Sequence, residues 1–165
     1  LAKTLVQWPE LLDLNSGRLN ADASLALAAG SNAPSLDLNL TGKGLGGIYD
    51  RTELSGVDTL LQFQLARQRF ELYVQQLKIQ QANPGLPIGP LETRIRYAAP
   101  LASAGKGQLE VNLARTALMG GQVTLTPGQW NLAAGNQLFP IHIRGLELQQ
   151  LFALYPAEGL SLIHI

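Results

Sequence analysis

Leu91-Glu92-Thr93-Arg94-Ile95-Arg96-Tyr97 sets an apolar or β-branched side chain at every odd position and a charged one at every even position. A strand turns successive side chains to opposite faces, so the stretch carries one apolar face and one wet face. The pattern recurs to either side. Leu36, Leu38 and Leu40 alternate with Asp37, Asn39 and Thr41, and Leu109, Val111 and Leu113 alternate with Gln108, Glu110 and Asn112. The sequence therefore predicts a mainly β chain with an antiparallel sheet. Many such strands side by side share one continuous apolar surface. Either a second layer covers that surface, the ordinary outcome for such stripes, or the surface is itself the functional part.

Working outward, Leu19, Ala21, Ala23, Leu25 and Leu27 share one phase, after Leu11, Leu12 and Leu14 and a turn at Ser16-Gly17. Gly30 to Pro34 reads as a turn. Gly42, Gly44, Gly46 and Gly47 break the alternation and read as a flexible strand connection. Residues 58–82 are ambiguous. Leu61, Phe63 and Leu65 hold one phase, Phe70, Leu72 and Val74 the other, and Leu77 and Ile79 switch back. Two strands joined through Ala66-Arg67-Gln68-Arg69, with a bulge near Gln75-Gln76, explain both switches; a single helix is the competing assignment. Asn83-Pro84-Gly85, the loop from Pro100 to Gly107, Met119-Gly120-Gly121 and Pro127-Gly128 punctuate further strands. Val123 and Leu125 alternate, as do Phe139, Ile141 and Ile143. Only Leu148, Leu151, Phe152 and Tyr155 fall at helical spacing, which predicts a short helix over 146–155 ended by Pro156.

The 165 residues suffice for one domain with a core, expected over 1–160. Twelve basic residues balance twelve acidic ones, which argues against a nucleic-acid surface and its positive footprint. The absence of cysteine excludes disulfides and thiolate chemistry. Low charge, abundant glutamine and no cysteine suit a bacterial envelope β protein. No run of about 18 apolar residues offers a transmembrane helix. Leu1 in place of methionine reads as the start of a piece of a longer protein.

Little in the chain points to catalysis, so no enzyme and no cofactor are expected. In Gly42-Lys43-Gly44-Leu45-Gly46-Gly47 the lysine precedes its glycine and no helix follows, so the phosphate-cradling arrangement is missing. His142 stands on the polar side of an alternating strand. Histidine and carboxylate spacings give no metal set, and there is no nucleophile elbow.

Longer stretches carry a resemblance. Leu77-Lys78-Ile79-Gln80-Gln81-Ala82-Asn83-Pro84-Gly85-Leu86-Pro87-Ile88-Gly89-Pro90-Leu91 is distinctive. So are Ala117-Leu118-Met119-Gly120-Gly121-Gln122-Val123, Ile143-Arg144-Gly145-Leu146-Glu147-Leu148 and Leu154-Tyr155-Pro156-Ala157-Glu158-Gly159-Leu160. In this order, over residues 40–160, they resemble the C-terminal half of the YdbH-type proteins of Gram-negative bacteria. That group is similar to the AsmA-like and TamB-like bridge-forming lipid-transport proteins; older labels call the region a dicarboxylate transport domain. The dicarboxylate label fits poorly, because no paired Arg or Lys marks a carboxylate site on an apolar face. After Gly159-Leu160 the pattern departs, and Ser161-Leu162-Ile163-His164-Ile165 reads as a truncation scar.

The resemblance implies an elongated, twisted antiparallel sheet curled into an open apolar groove that shields phospholipid acyl chains across the periplasm. It implies an inner-membrane anchor outside this segment and a small outer-membrane lipoprotein as partner. The expected lining is Leu36, Leu38 and Leu40; Leu91, Ile95 and Tyr97; Leu109, Val111 and Leu113; Val123, Leu125, Ile141 and Ile143. Leu148, Leu151, Phe152 and Tyr155 would supply a helical cover. The rival expectation is a closed β-sandwich of lectin or adhesin type, with function in its loops.

Overall fold

A computed structural model of the chain describes residues 12–27, 34–147 and 149. Its strands are β1 (Leu12–Ala26), β2 (Ser35–Tyr49), β3 (Thr52–Ala66), β4 (Arg69–Asn83), β5 (Ile88–Pro100), β6 (Gln108–Leu118), β7 (Gly121–Leu125), β8 (Gly128–Asn131) and β9 (Ile141–Arg144). They form one antiparallel meander in the order β1-β2-β3-β4-β5-β6-β7-β9, with β8 also paired to β6. β1 and β9 end the path without pairing to each other, so the sheet is open.

Residues 58–82 are strands, as the two-strand assignment requires. β3 and β4 meet across a two-residue hairpin in which Arg67 and Gln68 have φ of 50° and 60°. Two left-handed residues in a row match the right-handed twist of the flanking strands. Asp50 and Arg51 (φ 41° and 68°) join β2 to β3 in the same way, and Met119 and Gly120 (φ 47° and 72°) join β6 to β7.

Two expectations about glycines are corrected. Ser16-Gly17 is no turn: β1 runs through it, and the register shift between Leu14 and Ser16 marks a bulge in β1 just before it. The Gly42–Gly47 run is no connection either. It lies inside the 15 residues of β2 as a second bulge, where Gly44 has φ 57° and its N–H donates to Asp58 Oδ1 at 2.8 Å. The bulges nest, because a Cβ on Gly17 would sit 2.5 Å from Leu45 Cα. The helix expected over 146–155 lies outside the described residues, apart from its first two positions, which are irregular, and Gln149.

Substantial contacts between elements are all between hydrogen-bonded neighbours, so the described strands form a single layer. A closed sandwich would require a second sheet packed face to face with the first. Among the described residues the buried apolar side chains are few: Leu45, Val74, Ala99, Val111 and Trp130.

Candidate functional site

Directly paired residues of antiparallel strands point to the same side, so the register reads out the two faces row by row. One row runs Ala23, Leu38, Phe63, Leu72, Tyr97, Leu109, Trp130. The next runs Ala21, Leu40, Leu61, Val74, Ile95, Val111, Gly128. At about 4.8 Å per strand each row extends about 29 Å. The apolar face is thus continuous across the sheet, perpendicular to the strands. Phe63, Phe70 and Tyr97 form a diagonal ladder on it, with successive ring centroids 5.9 Å apart.

The register gathers nearly all the sequence-predicted lining residues onto this face. Leu36, Leu38 and Leu40 stand opposite Leu65, Phe63 and Leu61. Leu91, Ile95 and Tyr97 stand opposite Thr116, Val111 and Leu109. Val123 and Leu125 pair with Ile143 and Ile141. Leu113 departs from the set. A bulge in β6 pairs Val111 with Ile95 but Leu113 with Arg94, a polar-face residue, and Ala114 takes the apolar position opposite Thr93. The cover residues Leu148, Leu151, Phe152 and Tyr155 lie outside the described residues.

Two segments close over parts of the face. The loop after β5 folds back as a short 3-10 turn at Leu101–Ser103. The Tyr97 hydroxyl donates to Ala104 O and accepts from Gly107 N at 3.0 Å, and Ala99 beneath has no exposed surface. At the other end the Trp130 indole stacks on Phe139 at 4.9 Å and donates to Leu138 O at 2.7 Å. Phe139 also overhangs an open apolar hollow of about 440 Å³ lined by Leu91, Thr93, Ala114, Val123, Leu125 and Ile141, with Thr116 and the edges of Glu92 and Arg115. Trp130 and Phe139, and all the β3 and β4 apolar residues, were absent from the predicted lining. The alternation of Leu61, Phe63 and Leu65 and of Phe70, Leu72 and Val74 carried the signal for the latter.

The opposite face is polar and cross-braced. Asp58, Lys78, Glu92 and Arg115 stand in one row over four strands. Glu92 accepts from Arg115 at 2.5 Å and forms an ion pair with Lys78 at 3.5 Å, and the Arg115 hydrogen bond, aided by both cations, holds its carboxyl below the usual glutamate range. Arg96 bonds Glu71 at 2.7 Å, which raises its pKa. His142 Nε2 lies 3.0 Å from Thr126 Oγ1 on this side. Among the described residues no three metal-ligating side chains cluster, and no helix is long and apolar enough to cross a membrane.

Fold and face together define a single-layer β protein whose apolar side carries no second sheet among the described residues. The comparisons agree with that class. A family model described as YdbH-like, intermembrane phospholipid transport protein YdbH, matches residues 1–162, and the chain belongs to this family. No curated protein and no solved structure matches the chain.

Proposed function

We propose that this sheet is a segment of a bridge between the two membranes of a Gram-negative envelope, and that its apolar face is a groove that carries phospholipid acyl chains. The observation that carries the reading is the unbroken apolar face, seven strands wide, in a sheet that carries no second layer among the described residues. Sequestering one methylene from water is worth about 0.8 kcal/mol, so a smooth track of Leu, Ile, Val and Phe suffices to hold two acyl chains without placed polar groups. Because the rows run from strand to strand, the lipid path runs across the strands and lengthens with every strand added. Membership of a transport family supports the reading, and no catalytic group is needed. The same reading puts an inner-membrane anchor and a small outer-membrane lipoprotein at the two ends of the full-length protein, with this segment in the periplasm as one β unit.

The test is a photo-reactive amino acid placed in the full-length protein in cells, at Leu38 or Ile95 on the apolar face and at Asn39 or Arg96 on the polar one. The expected result is phospholipid adducts from the first two positions alone. Equal yields from both faces, or none from either, would sink the proposal.

A further inference from the structure

Four of the elements slip phase at nearly the same level of the sheet. In β2 the apolar positions Gly42 and Leu45, opposite Thr59 and Val57, are separated by two residues instead of one. In β4 the same holds for Val74 and Leu77, opposite Ile95 and Thr93. In β6 it holds for Val111 and Ala114, opposite Ile95 and Thr93. On the far side of β6, β7 and β8 pair as a single strand interrupted at Thr126-Pro127, across from Asn112 and Leu113. A second set of slips lies a few residues along, where β1 gains a residue between Leu14 and Ser16, β3 between Leu54 and Val57, and β5 between Ile88 and Leu91; it stands apart from the line through β2, β4 and β6. An extra residue in one strand of a pair bends that strand and sharpens its twist. Bulges scattered over a sheet would bend each strand independently. Bulges set side by side bend all the strands about a common line.

We infer that this line of bulges is a crease running across the strands, and that it folds the sheet toward its apolar face. Burial identifies the direction. Leu45, Val74 and Val111 are 8%, 6% and 3% exposed, and each sits on the apolar face directly beside a bulge. No second sheet covers them among the described residues, where their cover comes from same-face neighbours, as on the inside of a bend. The other two buried apolar residues, Ala99 and Trp130, are covered by the Leu101–Gly107 loop and the segment around Phe139 instead. Bulge residues Gln75, Gln76, Asn112 and Leu113 are positioning residues: they set the width of the trough, and through it how many acyl chains lie abreast. That last consequence rests on the proposed function, whereas the crease itself does not.

The chain contains no cysteine, so spin labels can be placed pairwise in the full chain at Glu53, Leu60 and Ala66 of β3. This strand crosses the crease near Leu60 and is itself left unaltered. Straight, Glu53 to Ala66 would span roughly 43 Å. A crease makes this direct distance several Å shorter than the sum of its two legs through Leu60. Deleting Gln76 and Asn112 restores strict alternation in β4 and β6 without exchanging their faces, and the shortfall should then shrink by about half or more. A parent chain in which the direct distance equals the sum of the legs overturns the inference, whether or not the deleted chain folds. A folded deletion chain with the parental shortfall also overturns it. Distances decide the crease and lipid adducts decide the transport reading, so failure of one is not mistaken for failure of the other.

Discussion

Val111→Asp tests the inside of the bend most directly. Val111 is 3% exposed and stands between Ile95 of β5 and Gly128 of β8. Losing a buried valine costs about 1.5–3 kcal/mol. The new carboxyl must then be desolvated or protonated, and each unit by which burial raises its pKa costs about 1.4 kcal/mol at neutral pH. Together the loss comes to roughly 3–5 kcal/mol, a large share of the about 5–15 kcal/mol that holds an ordinary domain. The sign with pH follows from the raised folded-state pKa. Below the unfolded value of about 3.9 the carboxyl is neutral in both states, and the ionisation part of the penalty vanishes. It grows as pH rises to the folded-state pKa and is constant above it. Urea unfolding followed by far-UV circular dichroism at pH 4 and pH 7.5 should therefore show a larger destabilisation at the higher pH. Glu110→Gln, one residue away on the polar face, should stay within about 0.5 kcal/mol of the parent. Equal losses from the two substitutions, or a Val111→Asp penalty that does not grow with pH, would refute the placement of Val111 inside the crease.

Two further outcomes follow from local geometry. A Cβ on Gly107 would fall 2.4 Å from Ala98 O and 2.6 Å from the Tyr97 ring, so Gly107→Ala should lift the 101–107 loop from the face, seen as faster amide exchange there with the strands still protected. The folded-state pKa of Glu92 is lowered by Arg115, so its contribution to stability is present above the unfolded glutamate value of about 4.3 and is lost as pH falls through the lower folded value; Glu92→Gln should flatten the acid limb of the urea-midpoint profile between pH 6 and 3, and an unchanged limb would show the ladder to be idle.

The strands were legible where alternation is uninterrupted. Leu91–Tyr97 and Leu36–Leu40 read correctly because each apolar side chain on one face is flanked by residues that tolerate water on the other. The phase change at Gln75-Gln76 was legible as well, because glutamines interrupt a run of leucine, valine and isoleucine. The bulges just before Ser16-Gly17 and at Lys43-Gly44 were misread as a turn and a connection. A left-handed glycine serves a bulge as well as a turn, and only pairing partners tell them apart. Leu113 was assigned to the wrong face for a related reason. Leu109, Val111 and Leu113 look like one period-two stripe, but the register change in β6 is dictated by β5, where Arg94 and Ile95 leave no unpaired residue. The Asp50-Arg51 hairpin carries no glycine or proline, so nothing in composition announced it.

The charged row on the polar face gains its meaning from where the bulges lie. A one-residue slip in any strand would exchange its two faces, and a bulge is the place where such a slip is least costly. Asp58, Lys78, Glu92 and Arg115 alternate in sign across β3 to β6, immediately beside the bulges of β4 and β6. Moving β4 by one residue against β5 would set Lys78 opposite Leu91 or Thr93 in place of Glu92 and bring Ile79 onto the wet side. Exposed ion pairs contribute little to overall stability, about 0–1 kcal/mol each. Their use here is comparative: the correct register has opposite charges facing one another, and the slipped registers do not. The apolar face needs only to be greasy and continuous, so it offers many near-equivalent alignments. The polar face supplies the discrimination that keeps one of them, at the level of the sheet where the bend makes alignment hardest to hold.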